Sequence, residues 1–396
     1  MPANSLRTPC STAAASNPDL TAGLSVTSLV EATPASRDRY VDFLRAISIL
    51  VVVAWHWVFS ITQWNDDGSL GMPNPIAGIP GLWLATWFLQ IMPVFFFVGG
   101  FANLAGLERI EREGGGYLTF ATARLRRLLK PIGVYLGVWS VIEVVAHLVS
   151  PSYTGVTHWG MVVFVPLWFL GVYMGVVLLA PITVRLHRGA QHLTIVSMGA
   201  VIVLGDVARI CFGYEVLGLI GSAFVWIFAH QLGYYWRDGS LSGAGSRPKL
   251  WAMVVGGLTA LIVWTNLGVY GRSMVSVEGE TTSNMFPTTA CIAALAVFQM
   301  GIVLLVRGVA ERWLARKGPW TFTVSVNAIA MTVFTWHMTA LVAAIGIYQF
   351  AGGHLYTEAS AAWWAQRPLW IVLPGVLLAA LIALFARFEL PKTRTK

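Results

Sequence analysis

Charge is scarce in this chain. Of its 396 residues only 11% are Asp, Glu, Lys or Arg, against about a quarter in ordinary soluble domains, while 56% are hydrophobic. An ordinary soluble protein is thereby excluded, and the expectation is an all-α polytopic membrane helix bundle. Cysteine is scarce too: Cys10, Cys211 and Cys291 show neither metal-ligand spacing nor a plausible disulfide framework. A Walker loop, an HExxH helix and a GxSxG elbow are all missing, so ATP-driven transport and zinc or serine hydrolysis have no motif behind them. Every loop is short, which leaves no room for an appended soluble domain. Residues 1–38, rich in Ser, Ala, Pro and Thr, lack an h-region followed by a cleavage site. They read as a disordered cytoplasmic tail ahead of an uncleaved signal anchor.

What is abundant is long apolar runs. Stretches of about 20 residues suit a transmembrane helix, and ten can be drawn: 43–63, 82–106, 131–150, 160–183, 193–212, 216–236, 250–270, 287–306, 324–350 and 369–387. Cytoplasmic loops retain Lys and Arg. With both termini cytoplasmic, 22 of the 26 Lys and Arg fall inside; only Arg272 and Arg367 fall outside, and Arg45 and Arg209 lie within spans. Nine spans, or the opposite orientation, spoil this partition. The net charge of +8 is therefore a topology signal rather than a nucleic-acid signal. The expected organisation is a tail over 1–38, a ten-helix membrane domain over 39–388 and a short cytoplasmic tail over 389–396. The 18 tryptophans read first as an interfacial belt.

Arg45 opens the first run and His56 follows eleven positions later. Eleven helical steps turn through about 1100°, three turns plus about 20°, and climb ~16 Å. The two side chains share a face, with Asp42 on or near it, so an anion-binding group sits below a potential base near mid-membrane. Ionisable groups at that depth mark functional sites. His147, His230 and His337 also fall within spans, where a lone histidine more often serves helix packing. Trp336-His337 lies ~15–18 Å along the span that opens at Ser325 and Asn327, at a depth similar to His56. Asp206 with Arg209, and Glu143 with His147, read as pairs that neutralise each other on one helix.

Two further segments stand out. In IMPVFFFVGGFANLAG, Phe97 and Gly99-Gly100 either line an acyl channel or serve close helix packing. RLRRLLKP places Arg124, Arg126, Arg127 and Lys130 just before a span, suited to a polyphosphorylated ligand through guanidinium forks, or to anionic headgroups.

In this order the residues resemble the acyltransferase-3 family of integral-membrane acyltransferases, which includes bacterial sugar and polysaccharide O-acetyltransferases. The likeness rests on Asp42-x-x-Arg45 with His56, on Phe96, Phe97, Gly100 and Phe101, on RLRRLLKP, on PLWFL at 166–170, and on Trp336-His337. Gly99 stands where the family commonly has serine, and Trp336 where it commonly has tyrosine. The resemblance implies acyl-CoA, with acetyl-CoA the simplest case, as a co-substrate, and no cofactor bound permanently. Arg45, Arg124, Arg126, Arg127 and Lys130 are expected at the CoA phosphates, and His56 as general base with Arg45, Asp42 and His337. Phe97, Gly99, Gly100, Trp168 and Trp336 are expected along the acyl channel or acceptor pocket. No metal is required. The implied acceptor is an extracytoplasmic or lipid-linked glycan at a bacterial inner membrane, with a small secreted metabolite or lipid as the variant. A proton-coupled transporter using Asp206, Glu143 and the histidines is the rival class, though no inverted repeat is evident.

Overall fold

The computed structural model describes residue 33 and residues 37–150, 152–156, 160–243, 245–280 and 282–390. Most of the tail read over 1–38, with Cys10, and residues 391–396 of the C-terminal tail lie outside the described residues.

Helix α1 (Arg39–Val58) starts where Asp38 accepts the amides of Tyr40 and Val41 at 3.0 and 3.1 Å, closing the open N-terminal turn. A small antiparallel hairpin, β1 (Gln63–Trp64) and β2 (Leu70–Gly71), follows. The second expected span is broken: α2 (Trp83–Leu89) and α3 (Met92–Arg112) meet at Gln90. Helix α4 (Tyr117–Val149) has 33 residues, about 50 Å, against an apolar layer of about 30 Å. Its first turns, which carry RLRRLLKP, therefore reach past that layer.

Helix α5 (Leu167–Phe212) is continuous in hydrogen bonding but leaves helical geometry at Ala190 (φ −155°, ψ 61°). Its two halves lie on α6 (Glu215–Arg237) in opposite senses. The first half meets it at Trp168–Trp226 and again at His187–Asp238; the second runs back, from Gln191 beside Tyr235 to Gly205 against Leu217. The chain thus reverses at Ala190. Nine helical segments among the described residues are long and apolar enough to cross a membrane, and the one containing this reversal covers two of the ten expected spans.

Helices α7 (Arg247–Asn266) and α8 (Ala290–Leu314) pack closely where a Cβ on Gly257 would lie 2.6 Å from the Phe298 nitrogen. The span expected over 324–350 is split at Ile329 (φ −119°, ψ 16°) into α9 (Lys317–Ala328) and α10 (Ala330–Phe350). Ser325 and Asn327 therefore sit on a different helix from His337. A short α11 (Ala361–Ala365) and α12 (Leu369–Phe385) complete the bundle. Arg37 and Asp42 meet Phe388 and Glu389 around one cavity, so both ends of the helical region lie on one face, called the basic face below.

Candidate active site

Two cavities hold residues singled out from the sequence, one at His56 and one at the basic segment. The larger, about 810 Å³, lies towards the face opposite the basic one and is walled by α1, α3, α5 and α6 beneath the loop segments 267–280 and 282–289. Its lining is almost wholly apolar, with Val52, Trp55, Phe169, Trp226 and Phe334 around His56. The loop is tied down by Trp87 Nε1 donating to the Arg272 carbonyl at 2.9 Å, and by Gln90 Nε2 donating to that of Met274 at 3.1 Å.

His56 comes to this wall because α1 ends only two residues later. That end is held twice. Trp57 Nε1 donates to the His337 carbonyl at 3.1 Å. Arg367, stacked 3.7 Å from the Trp363 ring centre, donates to the carbonyls of Val58 and Ser60 at 3.3 Å each, placing a cation where a helix C-terminus favours one.

The chemistry of the site follows from proton direction. His337 is fully buried, and its Nδ1 lies 2.7 Å from the Phe334 carbonyl, which can only accept. In the neutral ring Nδ1 then carries the hydrogen and Nε2 holds a lone pair. His56 Nδ1 lies 2.9 Å from that Nε2 and must donate to it. His56 Nε2 is left with its own lone pair, and no group among the described residues is hydrogen-bonded to it. The rings lie 5.1 Å apart at 19°. A base fixed in tautomer and orientation thus stands on the cavity wall.

The second cavity, about 490 Å³, opens on the basic face and is lined by Arg37, Arg126, Arg127, Lys130, Asn327 and Glu389 among others. Asp42 also lines it, paired with Arg37 and lying 3.7 Å from Arg45 Nη1. Arg45 is within electrostatic range of both Arg124 and Arg127. Arg124 itself is committed elsewhere: it donates to the Ala102 carbonyl on α3 at 2.7 Å and lies over the Phe120 ring. Glu389 accepts from the Met331 and Thr332 amides at 2.9 and 2.8 Å and from the Thr332 hydroxyl, capping α10. Burial pushes its carboxyl above the ordinary value, opposed by those donors.

Of the residues singled out from sequence, the structure joins His56 with His337, and Arg126, Arg127 and Lys130 with Asp42. It places Asp42 fourteen helical positions from His56, ~21 Å along α1. Trp168 lines the large cavity. Phe97, Gly99, Gly100 and Trp336 do not. A Cβ on Gly100 would fall 1.9 Å from the His230 carbonyl oxygen, and one on Gly99 2.9 Å from Tyr173, so both glycines serve helix crossings. Phe97 stacks on Trp236 at 5.1 Å and Trp336 on Phe385 at 4.1 Å. Glu143 does meet His147, at 3.6 Å. Asp206 lies within electrostatic reach of Arg209 and also accepts from the Tyr270 hydroxyl and the Ala290 amide, at the start of α8, while Arg209 Nε is buried without a hydrogen-bond partner. His230 pairs with Asn103 at 3.0 Å. Sequence reading missed Phe334, Arg367 and Glu389; only Phe334, three residues before His337, leaves a local signal.

A family model described as an acyltransferase domain, that of acyltransferase family 3, matches residues 38–388. The chain belongs to that family. It is a multi-pass membrane acyltransferase, and the match takes in the whole lining of the apolar cavity, most of that of the basic one and both histidines of the pair. No curated protein and no solved structure matches this acyltransferase.

Proposed function

We propose that this acyltransferase moves an acyl group, acetyl in the simplest case, from cytoplasmic acyl-CoA to a hydroxyl of an extracytoplasmic or lipid-linked carbohydrate at a bacterial plasma membrane. The observation that carries the reading is the hydrogen-bond chain from the Phe334 carbonyl through His337 to His56, ending in a free lone pair on a cavity wall. His56 Nε2 takes the proton of the acceptor hydroxyl while that oxygen attacks the thioester carbonyl. The tetrahedral centre collapses with cleavage of the C–S bond, and the leaving thiolate of CoA receives the proton back from His56. General-base assistance of this kind contributes about 10²–10⁴-fold, and holding the partners together supplies much of the remainder.

On this reading Arg37, Arg126, Arg127 and Lys130 hold the CoA phosphates on the basic face, which is the cytoplasmic one by the positive-inside rule. Arg45 stands between them and His56, ~16 Å from the base along α1. The test is incubation of purified wild-type and His56→Ala protein with radiolabelled acetyl-CoA, reading CoA release and label transferred to an extracted envelope glycan fraction. Transfer that disappears in the variant supports the reading. Turnover indifferent to His56, or acetyl-CoA left intact with every acceptor fraction, overturns it.

A further inference from the structure

The wall around His56 offers little to a bare sugar. Besides His56 and the indoles of Trp55, Trp168 and Trp226, the polar side chains lining the large cavity are Gln90, Ser222, Ser276 and Thr288, and each of these four has a hydrogen-bond partner within the protein. Gln90 donates to the Met274 carbonyl and accepts the Met92 amide; Ser276 is bonded to Ser283 at 2.9 Å. Thr288 donates to the Met285 carbonyl through its hydroxyl and to Ser222 Oγ through its amide. A pyranose pushed into this space would lose water from several hydroxyls, and the indoles, which only donate, leave few acceptors for their protons. The cavity is also far larger than a two-carbon acyl group requires, and its apolar lining suits hydrocarbon.

One side of the cavity is not closed by protein. Gly175 and Leu179 on α5, and Leu219 and Ala223 on α6, line it and are exposed, Leu179 to 41% and Leu219 to 49%. A Cβ built on Gly175 meets nothing within 4 Å. Leu179 is twelve residues into α5, ~18 Å along the helix, a depth that belongs to the hydrocarbon layer.

We infer that this cavity takes a hydrocarbon chain covalently joined to one of the reacting groups, admitted sideways from the bilayer between the first half of α5 and α6. The inference rests on the reading that transfer occurs at His56. The chain belongs either to the acceptor, as the tail of a membrane-borne alcohol or glycolipid, or to the donor, as a long acyl group. The cavity recognises the same chemistry in both.

The test uses the full chain in phosphatidylcholine nanodiscs with hexadecanol carrying a mid-chain diazirine. After irradiation, labelled peptides are mapped by mass spectrometry. Label is expected on 167–180 and 219–227, suppressed by excess unlabelled hexadecanol. Gly175→Trp fills the opening and is expected to lower the saturable label about tenfold, the loss that overpacking of this kind brings. Ala223→Phe, on the other helix, gives the same test if Gly175→Trp does not fold. Displacement of the probe by hexadecanoyl-CoA but not by acetyl-CoA assigns the chain to the donor; displacement by hexadecanol alone assigns it to the acceptor. Label spread over the outer helix faces without saturation, or saturable label that persists in a folded plugged variant, overturns the inference. Label and acyl transfer fail separately: saturable label with turnover indifferent to His56 removes the base role and leaves the hydrocarbon site.

Discussion

The two cavities differ in almost everything except the helix that serves both. Helix α1 brings Asp42 to the basic cavity and His56 to the apolar one. The basic cavity gathers Arg37, Arg126, Arg127 and Lys130 with only Asp42 and Glu389 as carboxylates among its lining residues. The apolar cavity has one unengaged base and a hydrocarbon wall. Charge at the first suits a ligand that is bound and released through phosphate contacts; dryness at the second strengthens each dipole aimed at the reacting atoms. On the proposed function, the difference is a division of labour along one helix, with affinity at one end and proton transfer at the other.

Breaking the apolar side should have the largest effect. His56→Ala is expected to lower acyl transfer by about 10²–10⁴-fold while the protein still inserts and elutes as a folded species. Next comes His337→Ala, which leaves His56 Nδ1 without its acceptor. A kcat about ten- to hundredfold lower is expected, the range seen when the group orienting a histidine is lost, with the KM for acyl-CoA unchanged. His337→Gln, whose amide oxygen can accept from Nδ1, should recover part of it. An equal loss in both variants would mean that His337 acts by more than holding the tautomer.

On the basic side, Arg127→Ala should raise the KM for acyl-CoA with kcat held. The removal of one charge-assisted hydrogen bond is worth about 1.5–3 kcal/mol. Arg124→Ala is the control that sharpens the comparison. Its guanidinium is bonded to the Ala102 carbonyl, so thermal stability should fall while the KM stays near that of the wild type. If the two arginines behave alike in steady-state kinetics, the assignment of Arg127 to the donor is wrong. The smallest effect is expected from Glu389→Ala, which uncaps α10 at a cost of about 1 kcal/mol, read as a lower melting temperature.

Sequence periodicity located the apolar runs, the shared face of Arg45 and His56, and the basic segment before α4. The polar stretch 184–192 marked the reversal that falls at Ala190, but the breaks at Gln90 and Ile329 stayed hidden, because each lies inside a run that stays apolar across the break. Nor could periodicity find Arg367 or Glu389. Arg367 meets Val58 across 309 positions and Glu389 meets Met331 across 58, and no local pattern encodes such pairings. Gly99-Gly100 was ambiguous for a physical reason: a missing Cβ admits a ligand and a neighbouring backbone equally well. The carbonyl of His230 settles Gly100 as a helix contact.

The direction of the histidine chain has one more consequence. It ends on the Phe334 carbonyl, an oxygen that accepts a hydrogen bond but has no proton to pass on and no site to store one. A proton taken up at His56 Nε2 therefore has no onward route through His337, and it leaves from the atom at which it arrived. The relay is a cul-de-sac. On the proposed function, an enzyme built in this way would cycle a proton at every turnover without passing it onward through the histidine pair.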